Sequence, residues 1–326
     1  MNRRTLITLL GGAATWPMAA RAQQAGTPVI AFLNAGSAFR GPSPRQATAF
    51  RQGLLETGFI EGRNLTIEYR WAEDQYDRLP ALTADLIQHR VALIAADTRA
   101  VDAAKALTTS IPIVFMSGSD PVKRGLVASL SRPGGNLTGV SLLAGDLNAK
   151  RFGLFRDLMP QAAVIGVLVD STNPRGPYQL QEVEAAARSL AVTIRVISAG
   201  SEDAIETAFA GLAREGVNAL FVLATQMFYN LSDRLTALAA QHRIALSGEL
   251  RVFVESGGLM YYGPNELEAF RQVGRYSGRI LKGEKPGDLP VMLPTKIDFV
   301  INLRNAKALG LEIPAAIVTA ADEVIE

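Results

Sequence analysis

Short apolar runs recur in two stretches, 29–118 and 164–249, in one order: apolar run, polar loop, helix, apolar run, helix, apolar run. The first copy opens with Val29-Ile30-Ala31-Phe32-Leu33 and the second with Val164-Ile165-Gly166-Val167-Leu168-Val169, each followed by small and polar residues. Near-continuous apolar runs of this length predict strands buried on both faces of a parallel sheet. Leu65-Thr66-Ile67-Glu68-Tyr69 and Val192-Thr193-Ile194-Arg195-Val196 alternate, as partly exposed strands do. Third strands are expected at 91–95 and 219–223, and fourth strands at 113–116 and 244–246. Strands alternating with helices in this way call for right-handed crossovers and a sheet covered on both faces. The expected fold class is α/β, with two doubly wound parallel-sheet lobes.

Spacing and end signals define three helices. Over 77–90, Leu79, Leu82, Leu86 and Ile87 share a face, Asp77 is placed to cap, and Pro80 falls in the tolerant first turn. Over 201–215, Ile205, Ala208, Phe209 and Leu212 share a face, Ser201 is placed to cap, and Gly216 ends the helix. A third helix runs from Asn265, with Glu268 set for a capping box, to about Lys282 before Gly283. All three apolar stripes read as core packing.

At 326 residues the chain exceeds what one hydrophobic core usually serves, so two lobes fit its length. With 48% hydrophobic and 20% charged residues it has the composition of a folded protein. The N-terminus changes the charge. Arg3-Arg4, an apolar run over 6–14 and Ala20-Arg21-Ala22 predict an export signal cleaved after Ala22, by the Sec or the twin-arginine route. The apolar run is much shorter than the ~20 residues of a membrane span. Loss of Arg3, Arg4 and Arg21 takes the formal net charge from +2 to −1, which argues against nucleic acid or an anionic membrane as partner.

The absence of cysteine excludes disulfides, thiol nucleophiles and thiolate metal sites. Only His89 and His242 remain as imidazoles, both near predicted helix ends, so neither a metal site nor a serine triad is expected. The phosphate loop of nucleotide hydrolases, Gly-x-Ser-x-Gly and His-Glu-x-x-His are all missing. No catalytic residue and no cofactor is assigned.

Small, polar and aromatic residues do recur just past the predicted strands, where open α/β sheets bind ligands. In the first lobe these are Asn34, Gly36 and Ser37, then Asp97 and Thr98, then Ser117, Gly118, Ser119 and Asp120. In the second they are Asp170, Thr172, Asn173 and Tyr178, then Thr225, Gln226 and Phe228, then Ser247 and Glu249. Such groups suit a small polar or zwitterionic ligand held between lobes.

Several segments are similar to a known family. They include Arg63-Asn64-Leu65, Glu68-Tyr69-Arg70-Trp71-Ala72-Glu73, Asp77-Arg78-Leu79-Pro80, Ile111-Pro112-Ile113-Val114-Phe115 and Arg132-Pro133-Gly134-Gly135-Asn136. Gly257-Gly258-Leu259-Met260, Leu281-Lys282-Gly283-Glu284-Lys285-Pro286 and Ala306-Lys307-Ala308-Leu309-Gly310-Leu311 extend the similarity to the C-terminus. Together they resemble the ABC-transporter substrate-binding proteins that include tryptophan- and tyrosine-type solute receptors. The resemblance implies a type I periplasmic binding protein, with two lobes joined by three crossovers near 138–142, 261–264 and 289–295. It implies a first lobe of 27–140 with 265–292 and a second of 141–264 with 293–326. It implies a periplasmic receptor delivering a small-molecule solute, with aromatic amino acids or aromatic carboxylates leading, to ABC permease subunits. The loops Asn34-Ala35-Gly36-Ser37-Ala38-Phe39-Arg40 and Thr98-Arg99 depart from the family's commonest wording.

Within that frame Ser37, Thr98, Ser117 and Gly118 are the candidates for a ligand carboxylate, and Asp120, Asp170 or Glu249 for an ammonium. Phe228, Tyr178 and Tyr261 are the candidates to pack on its body. A sensor handing the closed form to a receptor kinase and an exported enzyme using the same cleft are the alternatives. A monomer is expected, since no heptad pattern or broad apolar segment stands out.

Overall fold

The computed structural model describes residues 26–39, 43–142, 147–173, 176–294 and 297–326, without the side chain of Gln226. The export signal, its cleavage point and Arg40 lie outside the described residues. In the first lobe β1 (Val29–Asn34), β2 (Thr66–Trp71), β3 (Ile94–Ala96), β4 (Ile113–Ser117) and β5 (Leu137–Ser141) form one parallel sheet, ordered β2-β1-β3-β4-β5. Helices α1 (Ser43–Glu56), α2 (Leu79–Gln88) and α3 (Ala100–Leu107) follow β1, β2 and β3. One face of the sheet buries Phe32, Phe50 and Phe270, and the other buries Leu33, Leu86 and Phe115.

In the second lobe α4 (Asn148–Leu158) leads into β6 (Val164–Asp170), α5 (Gly176–Ser189), β7 (Thr193–Ala199), α6 (Glu202–Arg214) and β8 (Ala219–Val222). Next come α7 (Gln226–Asn230), α8 (Ser232–Gln241), β9 (Ala245–Gly248), α9 (Arg251–Glu255) and β10 (Met260–Pro264). After α10 (Glu266–Leu281) the chain ends in β11 (Ile297–Asn302), α11 (Leu303–Leu309), α12 (Ala315–Ala320) and β12 (Glu323–Ile325). The second sheet is ordered β12-β11-β10-β9-β8-β6-β7, and only its β10–β11 pairing is antiparallel. Both sheets are doubly wound. The order reverses beside β1 in one and beside β6 in the other, and such a switch point opens a crevice at the carboxyl edge.

The chain passes between the sheets three times. β5 of the first sheet leads to α4 and β6, and β10 of the second leads to α10, which packs on α1 and the first sheet. The segment after α10 lies along β5, where Met292 N–H donates to Gly139 O at 2.9 Å and Ser141 N–H to Met292 O at 2.9 Å, before β11 returns to the second sheet. α1 and α10 approach through facing glycines. A Cβ on Gly53 would sit 1.8 Å from Arg271 O, and one on Gly274 would sit 2.1 Å from Phe50 O, so only hydrogen fits at either position.

Leu137–Ser141, which leads into the first passage, is a fully buried strand paired with β4. Two local features differ from expectation. Asp77 does not cap α2, because residues Tyr76–Arg78 form a 3-10 turn that feeds the helix without a side-chain cap. At α10 Asn265 does cap, accepting from Glu268 N–H at 3.0 Å, whereas the Glu268 carboxylate turns to Arg275 and Gln272. Ser201 caps α6 as expected, and Gly216 takes a positive φ of 71° just past its end.

Candidate ligand-binding cleft

Because β1, β3 and β4 are neighbours, the loops after them share one edge of the first lobe. Asn34 is buried, accepts from Gly36 N–H at 2.8 Å and donates to Gln46 Oε1 at 2.9 Å. A side chain at Gly36 would strike Ser43 Oγ, so glycine lets the head of α1 close on this loop. Asp97 accepts from Ala35 N–H at 2.7 Å, Arg99 N–H at 2.9 Å and Ala100 N–H at 2.8 Å, joining the β1 loop to the start of α3. Burial pushes its carboxyl upward against these bonds.

Three of the expected carboxylate donors of this lobe, Thr98, Ser117 and Gly118, already donate within it. Gly118 N–H donates to Thr98 Oγ1 at 3.0 Å, Thr98 donates to Met116 O at 3.3 Å, and Ser117 donates to Ser119 O at 2.9 Å. Ser37 Oγ accepts from Phe39 N–H at 3.3 Å. Arg124 ties the group together, donating to Ser117 Oγ and to Thr98 O, each at 3.0 Å, and pairing with Asp102. Asp120 caps its own turn, accepting from Val122 N–H at 2.9 Å and Lys123 N–H at 3.1 Å.

In the second lobe Asp170 accepts from Thr172 N–H at 2.8 Å and its hydroxyl at 2.6 Å. Asn173 donates to Gln179 Oε1 at 3.1 Å, and Gln179 donates to Ala224 O at 3.2 Å, which links the loops after β6 and β8. Thr225 caps α7 through Phe228 N–H at 3.2 Å, and Gln226 is the first residue of that helix. Phe228 points away from the cleft into the core with Phe209 and Phe253. Tyr261 is also buried, packs on Val254 and Val300, and donates to Pro264 O at 2.6 Å. Tyr178, at the head of α5, is 59% exposed.

Glu249 follows β9 and is 8% exposed. Burial pushes its carboxyl upward, against Arg151 and hydrogen bonds from the Ala224 backbone and the Asn148 side chain. Arg151, on the first turns of α4, is wholly buried. Its Nε donates to Tyr262 O at 2.7 Å and its Nη1 to Asn148 Oδ1 at 2.6 Å, while burial pulls its pKa down against the attraction of Glu249. Sequence reasoning missed Arg151. The available signal was its place on the same stripe as Phe152, Phe155 and Leu158, the buried face of α4.

Three residues from distant parts of the chain join the lobes and were also missed. Gln46 of α1 donates to Tyr229 Oη at 3.2 Å and to Glu266 Oε1 at 3.0 Å, and Tyr229 reaches Glu266 Oε2 at 3.4 Å. Glu266 keeps some solvent contact by surface area, yet protein crowds it closely. Its carboxyl is pushed up to about 7, chiefly by burial, with the like charge of Asp97 adding to the shift. At the rim Arg45 bonds Glu255 at 2.5 Å. An open hollow of about 460 Å³ lies outside this contact, lined by Arg45, Gln52, Arg251 and Arg271 rather than by the strand-end loops. Among the described residues no three His, Asp or Glu side chains are grouped to hold a metal. Both histidines sit at helix C-termini. His89 meets Glu68 at 2.9 Å, and His242 stacks on Phe209.

Two doubly wound lobes, linked by three passages and meeting across their carboxyl edges, define a type I periplasmic binding protein. Residues 41–325 match the family described as ABC transporter substrate binding protein, and the chain belongs to that family. Its function is that of the solute-binding component of an ABC transporter, which acts outside the cytoplasm, and members of the family are in general not enzymes. A protein of Clostridioides difficile named tyrosine-binding protein is 27% identical over 267 residues, covering 81% of this chain and 76% of its own. The solved ABC domain of Streptococcus pneumoniae in complex with L-Trp is 24% identical, with a TM-score of 0.78 over 92% of this chain and 100% of that one. A conserved domain protein of Vibrio cholerae, also 24% identical, has a TM-score of 0.79 over 91% and 99%.

Proposed function

We propose that this protein captures an aromatic amino acid or aromatic carboxylate between its lobes, closes on it and hands it to ABC permease subunits. The observation that carries the mechanism is the contact of Tyr229 with Gln46 and Glu266, which bonds helices of the two lobes beside the strand-end loops. Lobes that form hydrogen bonds on meeting and separate about three thin connections can use ligand binding to shift a hinge equilibrium. The aromatic class rests on the tyrosine-binding relative and the L-Trp complex. The lobes are 27–140 with 265–292 and 141–264 with 293–326. The chain is exported, cleaved after Ala22 and monomeric in the periplasm.

Thermal unfolding of the mature chain from Gln23, refolded to strip bound ligand, tests this against amino acids, aromatic acids and other small solutes. A ligand at ~100 times its dissociation constant adds about 2.7 kcal/mol of stability. A saturable shift by aromatic compounds that are recovered unchanged is the expected result. Selective stabilisation by non-aromatic solutes overturns the ligand class, and consumption of the compound overturns the receptor reading.

A further inference from the structure

The charged groups at the two carboxyl edges differ in whether their hydrogen-bonding capacity is used. Asp97 accepts three backbone N–H groups, Asp120 closes a turn and Asp170 holds Thr172. Arg124 likewise donates through both terminal nitrogens. Among the described residues five buried side-chain atoms lack a hydrogen-bond partner; one, Asp74 Oδ1, follows β2 at the first lobe's edge, and two, Arg151 Nη2 and Glu249 Oε1, are the oppositely charged pair at the second lobe's edge. They sit on opposite charges joined through Asn148, which accepts from Arg151 Nη1 and bonds Glu249. Leaving either atom unmatched in the interior costs free energy, so a fold that keeps both in place has them waiting for a partner of complementary charge.

We infer that Arg151 and Glu249 form a head-group subsite for a zwitterionic α-amino acid, Arg151 Nη2 donating to its carboxylate and Glu249 Oε1 accepting from its ammonium. A carboxylate alone would satisfy the arginine and leave the glutamate unmatched. An amine alone would do the reverse. The subsite therefore selects amino acids over aromatic carboxylates of the same body, and Asn148 holds the two charges at a fixed separation. This inference rests on the solute-receptor reading and narrows it.

The test is competitive binding to the refolded mature protein of L-tyrosine, L-tryptophan and L-leucine, each beside its des-amino acid and its decarboxylated amine. Three different side chains keep the head-group question separate from that of the ligand body. Each amino acid that binds should exceed both of its analogues by at least ~30-fold, the scale of an unpaired buried charge. Glu249→Gln, close to isosteric, should bring the amino acid to within ~3-fold of its des-amino analogue. Equal wild-type affinities, or a ratio that Glu249→Gln leaves unchanged, overturn the assignment and show an internal ion pair only. Binding of aromatic carboxylates but no α-amino acid overturns it while the receptor reading stands. No binding by any compound overturns both.

Discussion

At the carboxyl edge of the first sheet Thr98, Ser117, Gly118 and Arg124 bond one another, whereas at the edge of the second Arg151 and Glu249 each keep an atom without a partner. The lobes repeat one plan of strands and helices, so this difference is not a consequence of topology. It arises from which residues follow the strands. Short hydroxyl and glycine loops after β3 and β4 close on themselves, while α4 brings an arginine to the second sheet from the first turns of a helix. The loops after β3 and β4 read as a preformed wall, although Asp74 Oδ1 after β2 is left without a partner, and the oppositely charged pair of the second edge reads as the side with capacity left for a ligand.

The strongest way to break this contrast is to remove the two arginines in turn. Arg151→Ala leaves Glu249 buried without its counter-charge and should cost ~3–5 kcal/mol in urea unfolding. Arg124→Ala removes guanidinium hydrogen bonds to Ser117 and Thr98 and an ion pair with the exposed Asp102, all from a partly exposed side chain, and should cost only ~1–2 kcal/mol. Equal losses would erase the distinction between the edges.

A second pair of variants probes how the first lobe presents Gln46. Gly53→Ala or Gly274→Ala places a methyl group against backbone across the α1–α10 contact, and should cost ~1–3 kcal/mol by forcing the helices apart. Wild-type stability in both would show that the helices separate freely.

Glu266 gives a smaller, pH-dependent effect at the lobe junction. Its folded pKa of about 7 lies above its ordinary 4.5, raised by burial first and by Asp97 next. The folded state therefore binds the proton more tightly. The contribution is full below pH 4.5 and is lost as pH rises through about 7. Glu266→Gln should flatten the decline of stability across that window, measured as urea midpoints, and an unaltered slope would contradict the shift. The smallest effect is expected outside the cleft. His89→Ala loses exposed contacts with Glu68 and should change stability by no more than ~0.5 kcal/mol.

Local patterns made much of the fold readable. The runs at 29–33, 113–116, 164–169 and 219–223 are apolar because both faces of their strands are covered, and they recur in β1, β4, β6 and β8. Leu137-Thr138-Gly139-Val140-Ser141 was harder, since Thr138 and Ser141 are buried polar residues and Gly139 is small because Phe115 O would lie 2.0 Å from a Cβ. The antiparallel β11 carries no pattern that states its direction.

The cleft was less legible for a related reason. Loop residues advertise hydrogen-bonding groups, but the sequence does not say whether a neighbour will use them, as with Thr98, Ser117 and Asp120. Phe228 resembles a ligand platform until α7 turns it inward. Gln46, Tyr229 and Glu266 meet across separations of 183 and 220 residues, beyond any spacing rule.

The central claim is that the lobes trap a solute and release it unchanged. Small-angle X-ray scattering of the stripped mature chain, titrated with the compound giving the largest thermal shift, tests it most directly. A saturable fall in the radius of gyration at one ligand per chain, with the compound recovered intact, is the predicted result. Saturated binding with unchanged scattering, or conversion of the compound, would contradict it.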